Sequence, residues 1–329
     1  EICACLVGSE MCIRDRFKDK YLNDVVTFIE RRFKSLLVPY FWYNLFYMGV
    51  TILIFHLSGK FWGKPISLKN FFITPFLNGH QFDLSCPLWF VTQLFMTMIA
   101  FLFIFRVLKA AKDNKFFHLA VFTILGVSAI PLSKIIPMDP LNLVVIRTMF
   151  SVFFVYLGYY YRHHVEDKID IFSAKWLGAI VALQSVLWLF NRDFDPEHGI
   201  GLSYVLVWAR FDDQLIVPII TALTGIWASL FVVKILYPYM HNIKFVRLMG
   251  ENSYHIMANH LLVMYIITAI LLHINGIPIQ ERANHDIYWI YNPVQTTYLY
   301  FVLTMVITTY TGVLQKNIYA LMKKKFFDK

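Results

Sequence analysis

Charge is scarce in this chain. Only 16% of its 329 residues are Asp, Glu, Lys or Arg, where a soluble domain carries about 25%. That shortage argues against an ordinary water-soluble globule. Cysteine is nearly absent as well: of the four, Cys3, Cys5 and Cys12 sit at the extreme N-terminus and Cys86 stands alone. No CxxC pair and no Cys/His zinc spacing occurs, so neither a disulfide framework nor a metal is expected. Acidic residues, 21 in number, are outnumbered by 30 basic ones, for a net charge of +9. In a soluble protein that balance would suggest nucleic acid. Here no basic motif with interleaved aromatics lies outside short loops, and nucleic acid is not expected as a partner. Neither a tandem repeat nor a soluble domain is visible.

What the chain has instead is apolar surface. It is 58% hydrophobic and 18% aromatic, with mean hydropathy +0.56. The pattern predicts an all-α, polytopic transmembrane helix bundle with eight spans, near 36–57, 87–105, 117–136, 141–161, 174–190, 215–237, 254–274 and 294–314. Residues 1–16 (EICACLVGSEMCIRDR) differ in character from the rest. They read as a non-native leader resembling translated adapter sequence, to be set aside from fold reasoning, and the chain is expected to begin inside its gene. A single membrane domain then covers 17–329. Residues 17–35 are basic with apolar positions at helical spacing, as in an amphipathic helix on the membrane surface that feeds the first span. Between spans five and six, residues 191–213 are acidic, with Asp193, Asp195, Glu197, Asp212 and Asp213. They form either a solvated loop or a contact for a sugar or cation. The stretch 202–209 is too short to cross and reads as re-entrant or interfacial.

Loop charge orients the spans. Alternating sides, one side collects 22 Lys and Arg and the other seven, with Arg147 inside a span. The positive-inside bias puts the first side, and with it both chain ends, in the cytoplasm. The expected location is the cell membrane, multi-pass.

The candidate chemistry concentrates in LMGENSYHIMANH (248–260), a polar cluster running into an apolar helix. His260 lies six residues into its span, about 9 Å deep at 1.5 Å rise per residue. It is either a general base or proton shuttle, or a histidine bonded to a neighbouring helix. His255, Asn259 and Asn252 crowd it within two turns. Asn252 and Ser253 are also at the position of a helix N-cap. Arg147 is about 9 Å from the other membrane face. An intramembrane Arg marks a functional site by default, or else snorkels to the interface. In a core about 30 Å thick, His260 and Arg147 are expected to differ in depth by roughly 12 Å. Arg31, Arg32 and Lys34 either grip phosphates or attract anionic lipid headgroups. Trp89 opens a span where an aromatic belt residue is ordinary.

Four segments, in order, resemble the integral-membrane acyltransferase-3 family, most closely its fucose 4-O-acetylase-like branch. RRFKSLLVPY (31–40) resembles that family's basic segment running into Leu-Leu-x-Pro-Tyr. PLWFV (87–91) resembles its Leu-Trp-Phe-Leu helix start. RTMFSVFFVYLG (147–158) resembles its Arg…Phe-Phe…Leu-Gly helix, and GENSYHIMANH (250–260) its Gly-x-Asn-Ser…His segment. The family usually has ten core helices, so the resemblance implies that the first two are missing here. The family's proposed catalytic histidine lies on the first helix, and no residue of this chain inherits it; the intact parent is then expected to be the enzyme, with the activity of this chain left open. The implied reaction is transfer of an acyl group, acetyl foremost, from cytoplasmic acyl-CoA to a hydroxyl of a surface or lipid-linked carbohydrate. The resemblance makes His260 and Arg147 catalytic-site candidates, with Arg147 on substrate or oxyanion and His260 in a polar network near the donor. It makes Arg31, Arg32 and Lys34 contacts for the CoA phosphates, and Trp89, Asn252 and Ser253 contacts for substrate. The competing class is a transporter or flippase of lipid-linked glycans, which would share the aromatics and the buried Arg. Paired repeats with broken helices, a common transporter feature, are absent from the sequence.

Overall fold

The computed structural model of the chain describes residues 19–190, 204–211 and 215–326. The leader at 1–16 and the acidic residues Asp193, Asp195, Glu197, Asp212 and Asp213 lie outside the described residues. The helices, in chain order, are α1 (Val25–Arg32), α2 (Val38–Ser58), the short α3 (Leu68–Phe72) and α4 (Thr74–Asn78), α5 (Trp89–Ala111), α6 (Lys115–Ile135), α7 (Pro140–His164), α8 (Ala174–Phe190), α9 (Val217–Met240), α10 (Lys244–Glu251), α11 (Ser253–Ile274) and α12 (Pro293–Phe326). Among the described residues the only sheet is an antiparallel hairpin of two short strands, β1 (Tyr204–Val205) and β2 (Arg210–Phe211). The stretch expected to be re-entrant thus contributes this hairpin and the 3-10 turn Leu206–Trp208.

Among the described residues, seven segments are long and apolar enough to cross a membrane by length and composition: Val25–Ser58, Asp83–Ala111, Lys115–Ile135, Pro140–His164, Val217–Met240, Ser253–Ile274 and Pro293–Asn317. They correspond to seven of the eight expected spans. The eighth, α8, has 17 residues, at the lower limit of the ~17–25 needed to cross the hydrocarbon core. The protein is an all-α polytopic helix bundle.

An amphipathic surface helix feeding the first span was expected; α1 runs into α2 through a π-helical turn, Phe33–Leu37, so that Val25–Ser58 is one continuous segment. Pro39 supplies the reason. In a regular α-helix its ring would clash with the carbonyl four residues back, and it has no N–H to donate. That carbonyl belongs to Ser35, inside the widened turn. At the other end, the Asp24 side chain caps α1 by accepting from the Thr27 N–H at 3.2 Å.

The described chain divides into two compact units, one of 19–35 with 93–238, the other of 36–92 with 239–326. In the first, α6 turns through 136–139 into α7, and the two pack along their length. Gly126 makes this possible, because a Cβ there would lie 2.5 Å from the Cβ of Phe153. The core beside them is aromatic. Phe122 stacks on Tyr156 with centroids 4.6 Å apart, and Tyr21, Phe28, Phe101 and Phe105 join the same cluster. In the second unit, α11 packs on α12 and on the 3-10 turn Asp83–Leu88. Its core is built on Tyr40, Tyr47, Trp62, Phe82 and Ala258.

Gly126 and Gly49 make a paired test. Replacing a helix-interior Gly with Ala ordinarily gains up to about 1 kcal/mol. Gly49→Ala meets nothing within 4 Å and should keep or raise the melting temperature of the detergent-solubilised protein. Gly126→Ala should lower it by the equivalent of roughly 1–3 kcal/mol, as overpacking does. A Gly126→Ala protein as stable as Gly49→Ala would show that α6 and α7 are not in this close contact.

Candidate functional site

In the second unit, two helices present matching side-chain rows. Tyr40, Tyr43 and Tyr47 on the first span, and Asn252, His255 and Asn259 at the start of α11, share the same i, i+3, i+7 spacing, which lays each trio along one helix face. Tyr43 is the junction. Its hydroxyl donates to Oε1 of Gln315 on α12 at 2.7 Å and accepts from the Asn259 side-chain amide at 3.2 Å. It also shares a hydrogen bond with Nδ1 of His255. A phenol has one proton, already given to Gln315, so the His255 bond must run from Nδ1–H to the Tyr43 oxygen. That places the proton of a neutral imidazole on Nδ1, with Gln315 also in bonding reach of the His255 side chain. Tyr47, fully buried, donates to the Ala258 carbonyl at 2.7 Å and lies 3.3 Å from Oδ1 of Asn259. The helices come close because Gly312 faces His255; a Cβ on it would lie 2.9 Å from the His255 Cβ and 3.1 Å from Oδ1 of Asn252.

The expected site residues fall at several places. His260 is half-buried and bonds locally, with its Nδ1 2.9 Å from the Met257 carbonyl; it is not a member of the Tyr43 junction. Asn252 is buried, and its amide donates to the Leu248 carbonyl at 2.8 Å. It occupies the N-cap position of α11 but makes no capping bond with its side chain. Ser253 is exposed. Trp89 is buried at the start of α5, against the backbone turn at Gly79, and is a packed residue as well as an aromatic at a span end. The remaining candidates belong to the first unit. Arg147 is 1% exposed, and its guanidinium donates to the Val207 carbonyl, tying α7 to the segment of the β1–β2 hairpin. Phe150, one turn on, packs on Tyr204 and Phe211 of that hairpin. The basic trio splits: Arg31 is exposed and donates to the Tyr21 hydroxyl at 2.8 Å. Arg32 is buried with its guanidinium over the Phe28 ring, and Lys34 pairs in solvent with Glu30 at 2.5 Å. Tyr43, Tyr47 and Gln315 were not foreseen, and His255 was noticed only as a neighbour of His260. The shared i, i+3, i+7 spacing was the signal for the first two; nothing local marks Gln315.

The loops of the second unit hold further polar groups. Arg282 is wholly buried, donates to the carbonyls of Asp286 and Ile287 at 2.5 and 2.9 Å, and lies over the rings of Trp62, Tyr265 and Trp289. It locks the loop before α12 onto the loop after α2. Nearby in sequence to that second loop, His80 stands with Nε2 3.6 Å from Oδ1 of Asp83. Burial disfavours its charged form, but hydrogen bonds to Asp83 and Cys86 and the negative charge beside the ring outweigh this and raise its pKa to about 9. Asp83 and Cys86 are three apart in a 3-10 turn, where such residues eclipse one another. Among the described residues, no group of three or more His, Cys, Asp or Glu side chains is placed to hold a metal ion.

A bundle of apolar helices with a histidine–tyrosine–amide junction between them defines a multi-pass membrane protein with a buried polar centre. Comparison with protein families is specific. Residues 11–313 match the acyltransferase-3 family, described as an acyltransferase domain, and the chain belongs to that family of membrane acyltransferases. No curated protein and no solved structure matches the chain.

The raised pKa of His80 has a sign that can be checked. The protonated form is favoured on folding, so its contribution is full below the ordinary histidine pKa of about 6.5. It is lost as pH climbs through about 9. The melting temperature of the wild type should therefore fall over that interval relative to His80→Gln. Parallel curves for the two proteins from pH 6 to 10 would remove the ion pair from the account.

Proposed function

We propose that this chain is a membrane O-acyltransferase of the fucose 4-O-acetylase-like branch, with acyl-CoA, acetyl-CoA foremost, as donor and a hydroxyl of a surface or lipid-linked carbohydrate as acceptor. The family match across 11–313 carries the reading. The Tyr43–His255 junction supports it with a base in a defined tautomer. In this reading the spans cross the cell membrane with the Lys- and Arg-rich loops in the cytoplasm.

The proposed chemistry uses His255 as general base. Nε2 takes the proton of the sugar hydroxyl as its oxygen attacks the thioester carbonyl. The tetrahedral adduct collapses to the sugar ester and CoA thiolate, which takes the proton back from the imidazolium and leaves as free thiol. Tyr43 holds the ring through Nδ1. A buried imidazolium formed during the reaction is stabilised by the Tyr43 oxygen on Nδ1–H. His260 is assigned to the polar surroundings of the donor, and Arg147 to substrate or oxyanion contact. Trp89, Asn252 and Ser253 are assigned to substrate, and Arg31 with Lys34 to the CoA phosphates.

The test is incorporation of label from radiolabelled acetyl-CoA into glycan by membranes containing the protein, with release by mild alkali as expected of an ester. His255→Ala should lower the rate by about a hundredfold or more, the usual range for loss of a general base. Tyr43→Phe should lower it by about tenfold, roughly 1.4 kcal/mol in the barrier. Arg147→Ala and His260→Ala should also lose activity at equal expression. No label in glycan above control membranes would sink the acyltransferase reading for this chain. A fully active His255→Ala would move the base elsewhere.

A further inference from the structure

The first unit contains a cavity of about 430 Å³ where the C-terminus of α5, the N-terminus of α6 and the C-terminus of α7 meet. Its volume lies within the ~300–1,000 Å³ usual for small-molecule sites. Its walls are of two kinds. One is charged: Lys109 and Lys115 line it together with the carboxylate Asp113, beside the imidazoles of His163 and His164. The other is aromatic. Phe105 and Tyr159 meet edge to face with centroids 5.0 Å apart, and His163 packs on Tyr159 with centroids at 4.3 Å.

The cavity is held open by its frame. The turn from α5 to α6 is fixed by two bonds. Nε2 of His118 lies 2.8 Å from the Lys112 carbonyl, and the Tyr156 hydroxyl donates to the Lys115 carbonyl at 3.1 Å. Asn114 caps α6 by accepting from the N–H groups of Phe116 and Phe117 at 2.9 and 3.2 Å. Lys115 therefore sits on the first turn of a 21-residue helix, at the end whose dipole favours an anion. Phe105 and Tyr156 belong to the aromatic core that also contains Tyr21 and Phe28, the two rings on which Arg31 and Arg32 lean.

We propose that this cavity binds an adenine nucleotide bearing several phosphates, the base against the Phe105–Tyr159–His163 wall and the phosphates on Lys109 and Lys115. In the proposed reaction that ligand is the nucleotide end of the acyl-CoA donor, so the identity of the ligand rests on the reading of the previous subsection. The pairing of rings with cations is what selects a nucleotide. Lysines alone would serve a lipid headgroup equally well, since an ammonium binds phosphate as a point charge. A ring wall adds stacking on the base, which a lipid headgroup lacks.

The full chain in detergent, or in nanodiscs of neutral lipid, would be titrated with CoA, with adenosine 3′,5′-bisphosphate and with inorganic phosphate by calorimetry. Both nucleotides should bind. Lys109→Ala/Lys115→Ala should weaken them by at least about tenfold, and Tyr159→Ala should weaken them while leaving the response to phosphate unchanged. Lys109→Arg/Lys115→Arg, with a melting temperature like that of the wild type, should restore binding and so exclude misfolding. His255→Ala should bind as the wild type does. Absence of nucleotide binding, or equal binding by the Ala double variant, overturns the proposal. So does displacement of bound nucleotide by phosphatidylglycerol with no effect of Tyr159→Ala, which would assign the cavity to lipid. The two readings fail separately. Nucleotide binding at these residues without label entering glycan would leave the cavity assignment standing and remove the acyl transfer. Transfer with an unchanged KM for acetyl-CoA in the Ala double variant would do the reverse.

Discussion

The hydroxyl of Tyr43 carries the constraint on which the second unit depends. A buried polar group costs free energy unless its bonding capacity is filled. Tyr43 has one proton and two lone pairs, and three residues use them: Gln315, Asn259 and His255. They come from α11 and α12, so one oxygen sets the distance between three helices. Gly312 lets α12 reach that distance, and Tyr47 continues the bonding one turn further along α2. The same arrangement that satisfies the hydroxyl commits Nδ1 of His255 as a donor. The tautomer needed for a base is therefore a by-product of the packing of α2, α11 and α12.

The first unit obeys a different constraint. There the contacts are aromatic and aliphatic, and what matters is how closely two helix backbones can approach. Gly126 opposite Phe153 draws α6 onto α7, and Phe122 stacks on Tyr156 across the same interface. Bringing those helices together also brings the start of α6 and the end of α7 into one place. Lys115 and the pair His163 and His164 then share a cavity. Two lysines and two imidazoles at one end of an apolar layer are spread over three helix ends, where water and ligands can reach them. Buried further along, they would each need a partner.

Much of the fold was legible because long apolar runs have few alternatives. Seven of the eight expected spans coincide with helices long enough to cross, and even the weakest, α8, is helical over the expected residues. The turn between α1 and α2 was not legible. Proline near a helix start is ordinary, and only the continuity of Phe33–Leu37 with both neighbours shows that Pro39 widens the helix instead of ending it. The site was half legible. The segment 248–260 announces itself by its polarity, but polarity along a sequence does not say which histidine faces a partner. His255 and His260 are five apart, and so lie on different faces of α11 at about 100° per residue. His255 meets Tyr43, while His260 turns back to its own helix at Met257. Gln315 could not be found at all, since it lies at the far end of the chain and is chosen by the register of α12 against α11.

The same rotation decides what the basic segment can do. Consecutive helix positions differ by about 100°, and positions three apart fall on one side. Arg31 and Lys34 share the solvent side of α1 and the turn that follows it, whereas Arg32 is turned inward onto Phe28. Three cations adjacent in sequence are thus not three cations adjacent in space. Of the two that face water, Lys34 is paired with Glu30 and Arg31 is bonded to Tyr21. Such surface pairs are weak, about 0–1 kcal/mol, and yield readily to a phosphate. Even so, two exposed side chains on a helix offer no ring wall and no enclosure. A ligand with three phosphate groups and an adenine would need more than this face supplies. Lys109 and Lys115 stand with aromatic rings in the cavity where α5, α6 and α7 meet, against the same core that supports Arg31 and Arg32.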